Sequence, residues 1–287
     1  KKLIKSCRPD FIFHLAAQSL VKKSYNYPIE TVTTNSIGTL NILDSLRTLK
    51  KKCTVILITS DKSYRNMEIK RGYKENDILG GYDPYSASKA SAELLIQSYI
   101  NSYFKNKKNK ILIGVARAGN VIGGGDWSPD RLVPDCMKSW SINKKVTIRN
   151  PQSTRPWQHV FEALSGYLLF AVKLSKNRKL HGEVFNFGPV TNRVYNVLVL
   201  VKTIQKYWKN VSWKIKKIKT KQHESNLLKL NCSKAKKYLK WKSVLNFNET
   251  IEMSTKWYKE YYINPSNIKK FSYEQISKYE KLLKERL

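Results

Sequence analysis

The apolar run Thr54–Thr59 breaks off into Ser60, Asp61 and Lys62, and the next helical pattern opens at Pro84 and carries Tyr85 and Lys89. A short apolar run ending in polar residues reads as a buried strand. Residues four apart share a helix face, so Lys89 lies beside Tyr85. Pro84 suits the first helical position, which puts Tyr85 close to the positive helix N-terminus. A free phenol titrates near ~10, and a neighbouring ammonium favours the phenolate. The pattern therefore predicts a tyrosine able to take a proton from a hydroxyl near neutral pH. The chain has Tyr-x-x-x-Lys at two other places, Tyr103/Lys107 and Tyr238/Lys242. Neither follows a strand that ends in Ser, Asp and Lys, and both read as surface coincidences.

The same alternation runs through the first part of the chain. Phe11–Leu15, Thr54–Thr59 and Ile111–Ala116 read as strands. Pro28–Leu49 and Pro84–Phe104 read as helices between them. Strands and helices alternating at this length imply a parallel sheet with crossover helices. From Arg117 the texture changes. Gly123, Gly124, Gly125 and Pro129 predict a loop. Leu132–Ile142, Phe161–Leu174, Tyr195–Trp208 and Asn248–Tyr262 predict helices. Val146–Arg149, Glu183–Phe187 and Val211–Ile218 predict short strands, and Ser272–Leu287 a charged helix. The expected organisation is a doubly wound α/β domain over residues 1–116, N-terminally incomplete. Residues 117–262 form a mostly substrate-binding region with elements returning to the sheet, and 263–287 form a charged helical tail.

Composition narrows the classes. At 287 residues the chain can bury a substantial core. With 54 Lys and Arg against 21 Asp and Glu, its net charge is +33. Such a balance points toward nucleic acid or an anionic surface. The excess is scattered rather than gathered on one helix, and no nucleic-acid-binding signature accompanies it, so a nucleic-acid partner is not expected. Cys7, Cys53, Cys136 and Cys232 have no metal-ligand spacing; they read as reduced thiols of a cytoplasmic protein, and no metal is expected. No apolar stretch is long enough to span a membrane.

Several segments together resemble the extended short-chain dehydrogenases that act on nucleotide sugars. They are PDFIFHLAAQSLV (Pro9 to Val21), TNSIGTLNIL (Thr34 to Leu43), ITSDKSY (Ile58 to Tyr64), GYDPYSASKASAELL (Gly81 to Leu95), ARAGNVIGGGDW (Ala116 to Trp127), DRLVPD (Asp130 to Asp135), TRPWQHV (Thr154 to Val160), FNFGP (Phe185 to Pro189) and SKAKKYLKWK (Ser233 to Lys242). Within that family, Lys62 and TRPWQHV make the chain most similar to the CDP-glucose 4,6-dehydratases. The resemblance implies NAD-dependent dehydration of CDP-glucose to the 4-keto-6-deoxy sugar. It also leaves open another nucleotide-sugar dehydratase or epimerase, and a non-catalytic basic remnant remains the rival from a different class.

The resemblance also implies roles. Tyr85 is the base and Lys89 its partner. Ser60 holds the sugar O4, Asp61 is the general acid, and Lys62 is either the base at C5 or a fixed positive charge. Ala16, Ala17 and Gln18, with Tyr85 and Lys89, line the NAD site. Asn35 supports the active site, while His14 is structural. Arg117, Asn120, Arg131 and Arg155 receive the nucleotide sugar, with Arg155 clamping the diphosphate through its paired donors. A homodimer is implied as well. One departure stands out. The family's opening strand, G-x-x-G-x-x-G turn and helix have no counterpart before Phe11. The chain reads as a piece lacking roughly the first two strand–helix units, with Phe11–Leu15 as an unpaired edge, and is expected to be inactive as it stands.

Overall fold

The computed structural model describes residues 1–189, 195–216 and 228–287. In chain order its elements are α1 (Lys2–Cys7), β1 (Phe11–His14), α2 (Val21–Asn26), α3 (Pro28–Val32), α4 (Gly38–Leu46), β2 (Cys53–Ile58), α5 (Pro84–Tyr99) and β3 (Ile111–Ala118). There follow β4 (Val121–Ile122), α6 (Leu132–Ser141), β5 (Val146–Ile148), β6 (Thr154–Arg155), β7 (Gln158–His159), α7 (Val160–Lys176) and β8 (Val184–Phe187). The last are β9 (Tyr195–Asn196), α8 (Val197–Ile204), β10 (Trp213–Ile215), α9 (Phe247–Ile263) and α10 (Ile268–Arg286). The chain divides into two compact units. The first comprises Lys1–Gly119, Ser165–Phe187 and Leu228–Trp241; the second comprises Asn120–Leu164, Gly188–Leu227 and Lys242–Leu287.

The first unit is built on a parallel sheet in the order β1-β2-β3-β8. The expected α/β class with a parallel sheet is what the chain adopts. β2 and β3 are buried along nearly their whole length, as the run Cys53–Ile58 requires. Val55, Leu57, Ile113 and Val115 pack with Leu43 and Leu46 of α4 and Ile96 of α5. Against the other face lies the C-terminal part of α7, at very short range. A Cβ on Gly114 of β3 would stand 2.3 Å from Phe170 Cζ, and one on Gly166 2.3 Å from Phe187 Cδ1. Missing side chains at these two positions let helix and sheet meet. Among the described residues β1 pairs only with β2, and Phe11 on it is 43 % exposed.

The long helix expected over Pro28–Leu49 is broken by a π-helical turn at Thr33–Ile37, and α5 continues into a second such turn at Ile100–Phe104. Asp83 caps α5 through Ser86 N (2.9 Å), with Pro84 in the first turn. Gly81 is obligatory there, because a Cβ would lie 2.2 Å from Ala87 N.

In the second unit α6, α8 and α9 enclose Met137, Trp140, Leu200, Ile204, Ile251 and Tyr258. The predicted loop at Gly123–Gly125 exists because Trp257 fills the space: a Cβ on Gly124 would lie 1.9 Å from Trp257 Cδ2. The helix expected from Tyr195 begins only at Val197, since Asn196 turns back to cap it through Val199 N (2.8 Å). The strand expected over Val211–Ile218 is β10; its residues 217 and 218 lie outside the described residues. The charged tail is a packed helix. In α10, Gln275 Nε2 donates to Met253 O (2.8 Å), Tyr279 Oη to Glu162 Oε2 (2.9 Å), and Arg286 holds Glu249 with two bonds of 2.9 and 2.8 Å. Glu162, buried, also accepts from Val244 N and Leu245 N.

Gly114→Ala is expected to lower stability by about 1–3 kcal/mol through overpacking against Phe170. A shift in the denaturant midpoint with an unchanged slope measures it; an unaltered midpoint would mean that the helix moves away without cost.

Candidate active site

The C-terminal end of β2 delivers Ser60, Asp61 and Lys62. Ser60 caps a short 3-10 turn, Asp61–Ser63, by accepting from Lys62 N (3.2 Å), and its hydroxyl donates to Asp61 Oδ1 (3.0 Å). Ser63 Oγ donates to Ser60 O at 2.7 Å. Ser60 and Asp61 are buried, while Lys62 is partly open. Gly119, at the end of β3, makes room for the acid: a Cβ there would lie 2.0 Å from Asp61 Oδ2. Sequence reading missed Gly119. It stands three residues past the strand expected over Ile111–Ala116 and directly after the observed β3.

Tyr85 and Lys89 stand one turn apart on α5, both buried. Burial pushes the Lys89 ammonium down to about 8, against the upward pull of Glu93. Tyr167 of α7, also missed, has its phenol raised mainly by burial, with further contributions from the charges of Asp61 and Tyr85. That coupling places Asp61, Tyr85 and Tyr167 in one neighbourhood of the first unit.

The loop after β1 is pinned. Asn35, in the π-helical turn, accepts from Gln18 N (2.8 Å) and donates to Gln18 O (3.0 Å) and Ser88 Oγ (2.9 Å). It thereby ties Ala16–Gln18 to the Tyr85–Lys89 turn. Gln18 uses its own side-chain amide on Leu20 and Thr31. What this loop can offer a cofactor is therefore its backbone and the small Ala16 and Ala17, of which Ala16 is exposed. His14 has its imidazole pKa lowered by burial and by Lys89, and its Nε2 lies 3.4 Å from Thr39 Oγ1.

Arg117 needs correcting. Expected to receive the nucleotide sugar, it is 1 % exposed and held by the carboxylate of Glu93, through Nε (2.7 Å) and Nη2. Nη1 donates to Glu75 O (3.0 Å), and the guanidinium lies 4.5 Å over the Tyr64 ring. Thr59 Oγ1 donates to the same Glu93 carboxylate (2.7 Å). A guanidinium this enclosed cannot reach a substrate without breaking a buried pair; it positions the strand ends instead. Asn120, Arg131 and Arg155 belong to the second unit. Asn120 O accepts from Gln158 N, Arg131 pairs with Asp126 (2.9 Å), and Arg155 Nη1 donates to Thr154 O (2.8 Å).

The family described as GDP-mannose 4,6 dehydratase matches residues 1–254. The chain belongs to that family. It is 43 % identical over 256 residues to a CDP-glucose 4,6-dehydratase of Salmonella typhimurium, covering 88 % of this chain and 71 % of that protein. A dTDP-D-glucose 4,6-dehydratase of Dictyostelium discoideum is 30 % identical over 62 % of this chain and 41 % of its own length. Among solved structures, the epimerase Mth375 of Methanothermobacter thermautotrophicus has a TM-score of 0.80 at 22 % identity, over 94 % of this chain and 76 % of that one. The UDP-glucuronic acid 4-epimerase of Bacillus cereus, in complex with UDP-glucuronic acid and NAD, has a TM-score of 0.77 at 22 % identity, over 90 % and 77 %. At these identities the structures establish the fold. No metal-binding cluster of His, Cys, Asp and Glu occurs among the described residues, and none of their helices is long and apolar enough to cross a membrane.

Two outcomes are expected. Glu93→Gln leaves the Arg117 charge buried without its counter-ion, and stability falls by about 3–5 kcal/mol in denaturant unfolding; a loss under about 1 kcal/mol would mean that water or Glu75 takes over the pairing. Lys89 has a folded pKa of about 8, below its ordinary 10.5. Between those values the unfolded chain binds the extra proton, so stability rises with pH across that window. Lys89→Met removes this part of the rise, on the order of 3 kcal/mol, and parallel pH–stability curves for the two proteins would contradict it.

Proposed function

We propose that this chain is an NAD-dependent nucleotide-sugar 4,6-dehydratase acting on CDP-glucose. The observation that supports it most is the gathering of Ser60 and Asp61 at the end of β2 with Tyr85 and Lys89 on α5, in a chain 43 % identical to a CDP-glucose 4,6-dehydratase. The strand ends of a parallel α/β sheet are where ligands bind. The residues present fit a dinucleotide's reactive end: Ala16 and Ala17 follow β1 with no bulky side chain, on a loop that Asn35 holds against α5.

NAD, when bound, supplies a hydride acceptor for sugar C4 and a hydride donor for C6, so the reaction has no net redox change. Tyr85 takes the O4 proton as C4 becomes a ketone, and Ser60 hydrogen-bonds that oxygen. The ketone acidifies the C5 proton, which a base at the Lys62 position accepts and returns to C5 when the hydride reaches C6. Asp61 protonates the departing 6-hydroxyl, and water leaves. Lys89 holds positive charge beside Tyr85, and Glu93 beyond it keeps that ammonium protonated to higher pH than burial alone would allow. In the second unit we assign the diphosphate to Arg155, whose planar fork suits two phosphate oxygens; Asn120 and Arg131 are assigned to the same ligand.

The test is to join the chain to the glycine-rich opening segment of its family, incubate it with NAD and CDP-, dTDP-, UDP- and GDP-glucose, and look by mass spectrometry for a product lighter by one water. CDP-glucose is expected to be the best substrate. A product of unchanged mass would make the chain an epimerase instead. Tyr85→Phe is expected to lower turnover by about 100-fold or more while substrate affinity holds. Near-normal turnover in that variant would remove Tyr85 from the chemistry.

A further inference from the structure

At the N-terminal ends of the strands, opposite Ser60–Lys62, the first unit has a concavity of about 690 Å³. It is lined by Arg8, Lys50, Lys51, Lys52, Lys110, Lys176 and Arg178, with Ser175 beside them and Leu112 as its floor. Lys and Arg make up 54 of 287 residues, under a fifth of the chain, yet they supply seven of these nine positions. General lysine richness does not account for that density, and no carboxylate lines the cavity.

Part of the charge has a structural task. This end of the unit receives the C-termini of α1 and α7, whose last carbonyls carry negative partial charge. Lys52 Nζ donates to Ser175 O (2.9 Å). Lys51 Nζ donates to Arg8 O (3.0 Å) and pairs with Asp10 (2.7 Å). Arg178 donates to Asn106 O and Asn109 O, each at 2.7 Å. Three of the seven cations therefore satisfy the backbone or an acid. Arg8, Lys50, Lys110 and Lys176 make no side-chain hydrogen bond or ion pair among the described residues. They come from four separate segments and face one hollow, where mutual repulsion raises their energy.

We infer that this hollow is a binding site for a soluble small molecule bearing two or three linked phosphates. Four uncommitted cations exceed the charge of a single phosphate. The volume falls within the range of small-molecule sites. The charge is concentrated in a concavity with an apolar floor, whereas a nucleic-acid backbone needs a stripe along a face. β2 spans six residues, so about 20 Å separates this hollow from the Ser60 end of the sheet. The site is thus independent of the proposed chemistry and available for its regulation.

The test titrates the full chain with tripolyphosphate, pyrophosphate and monophosphate at constant ionic strength, by calorimetry and thermal midpoint. Tripolyphosphate is expected to bind one per chain, to raise the midpoint, and to exceed monophosphate by about tenfold or more in affinity. Lys50→Gln/Lys110→Gln/Lys176→Gln, at exposed positions, is expected to lose at least tenfold of that affinity and to keep the parent's cooperative unfolding and circular dichroism spectrum. The single Lys110→Gln, expected to lose about threefold, serves if the triple variant does not fold. The inference is overturned if the variants bind as the parent does, or if many ions bind per chain without preference for the longer phosphate. It is likewise overturned if binding is lost in Arg155→Ala instead, or if only duplex DNA or anionic vesicles bind.

Discussion

The buried pair of Arg117 and Glu93 is the interaction on which the first unit's working end depends. Two full charges removed from water are tolerated only when each is fully hydrogen-bonded. Here the partners come from everything that must be held in register. Arg117 ends β3, Glu93 lies on α5 one turn beyond Lys89, and Thr59 closes β2. Glu75 receives Arg117 through its carbonyl and accepts from Asn186 N of β8 at 2.9 Å. Tyr64 lies under the guanidinium and donates to Asn186 Oδ1 at 2.8 Å. One ion pair thus fixes the ends of three strands and the face of the helix that carries Tyr85.

Around that pair, position is set by the absence of side chains as much as by their presence. Gly119 admits the Asp61 carboxylate, Gly81 lets the chain turn into α5, and Gly114 with Gly166 brings α7 onto the sheet close enough for Tyr167 to enter the same neighbourhood. Asn35 reaches its partners from a π-helical turn, where the extra residue redirects its amide toward Gln18 and Ser88. The Asp61 carboxylate, the start of α5 and the Ala16–Gln18 loop are thus each held by a close contact.

The two ends of the sheet use positive charge differently. At the C-terminal end two cations are buried and matched, Arg117 to Glu93, and Lys89 opposed by burial and supported by the same carboxylate, while Lys62 is partly open. At the N-terminal end they are numerous, exposed and only partly committed to helix carbonyls. The first arrangement tunes individual groups; the second produces a field.

What the sequence by itself determined is local and periodic. The buried run Thr54–Thr59, the helix opened by Pro84, and the pairing of Tyr85 with Lys89 all depend on neighbours a few residues away, so they were legible in order and type. Segment by segment, the likeness to nucleotide-sugar enzymes was legible too. Tertiary structure alone decided the rest. Arg117 sits in a segment that suggests a substrate contact, but its fate depends on Glu93, 24 residues upstream, whose orientation no periodicity reveals. Gly119 and Tyr167 acquire meaning only once β3 and α7 lie against the strand that carries Asp61. The sequence shows the tail only as a charged helix; Gln275, Tyr279 and Arg286 find partners on other segments and turn it into a packed one. Hydrogen bonds and ion pairs between residues distant in sequence have no period, and so only the folded chain displays them.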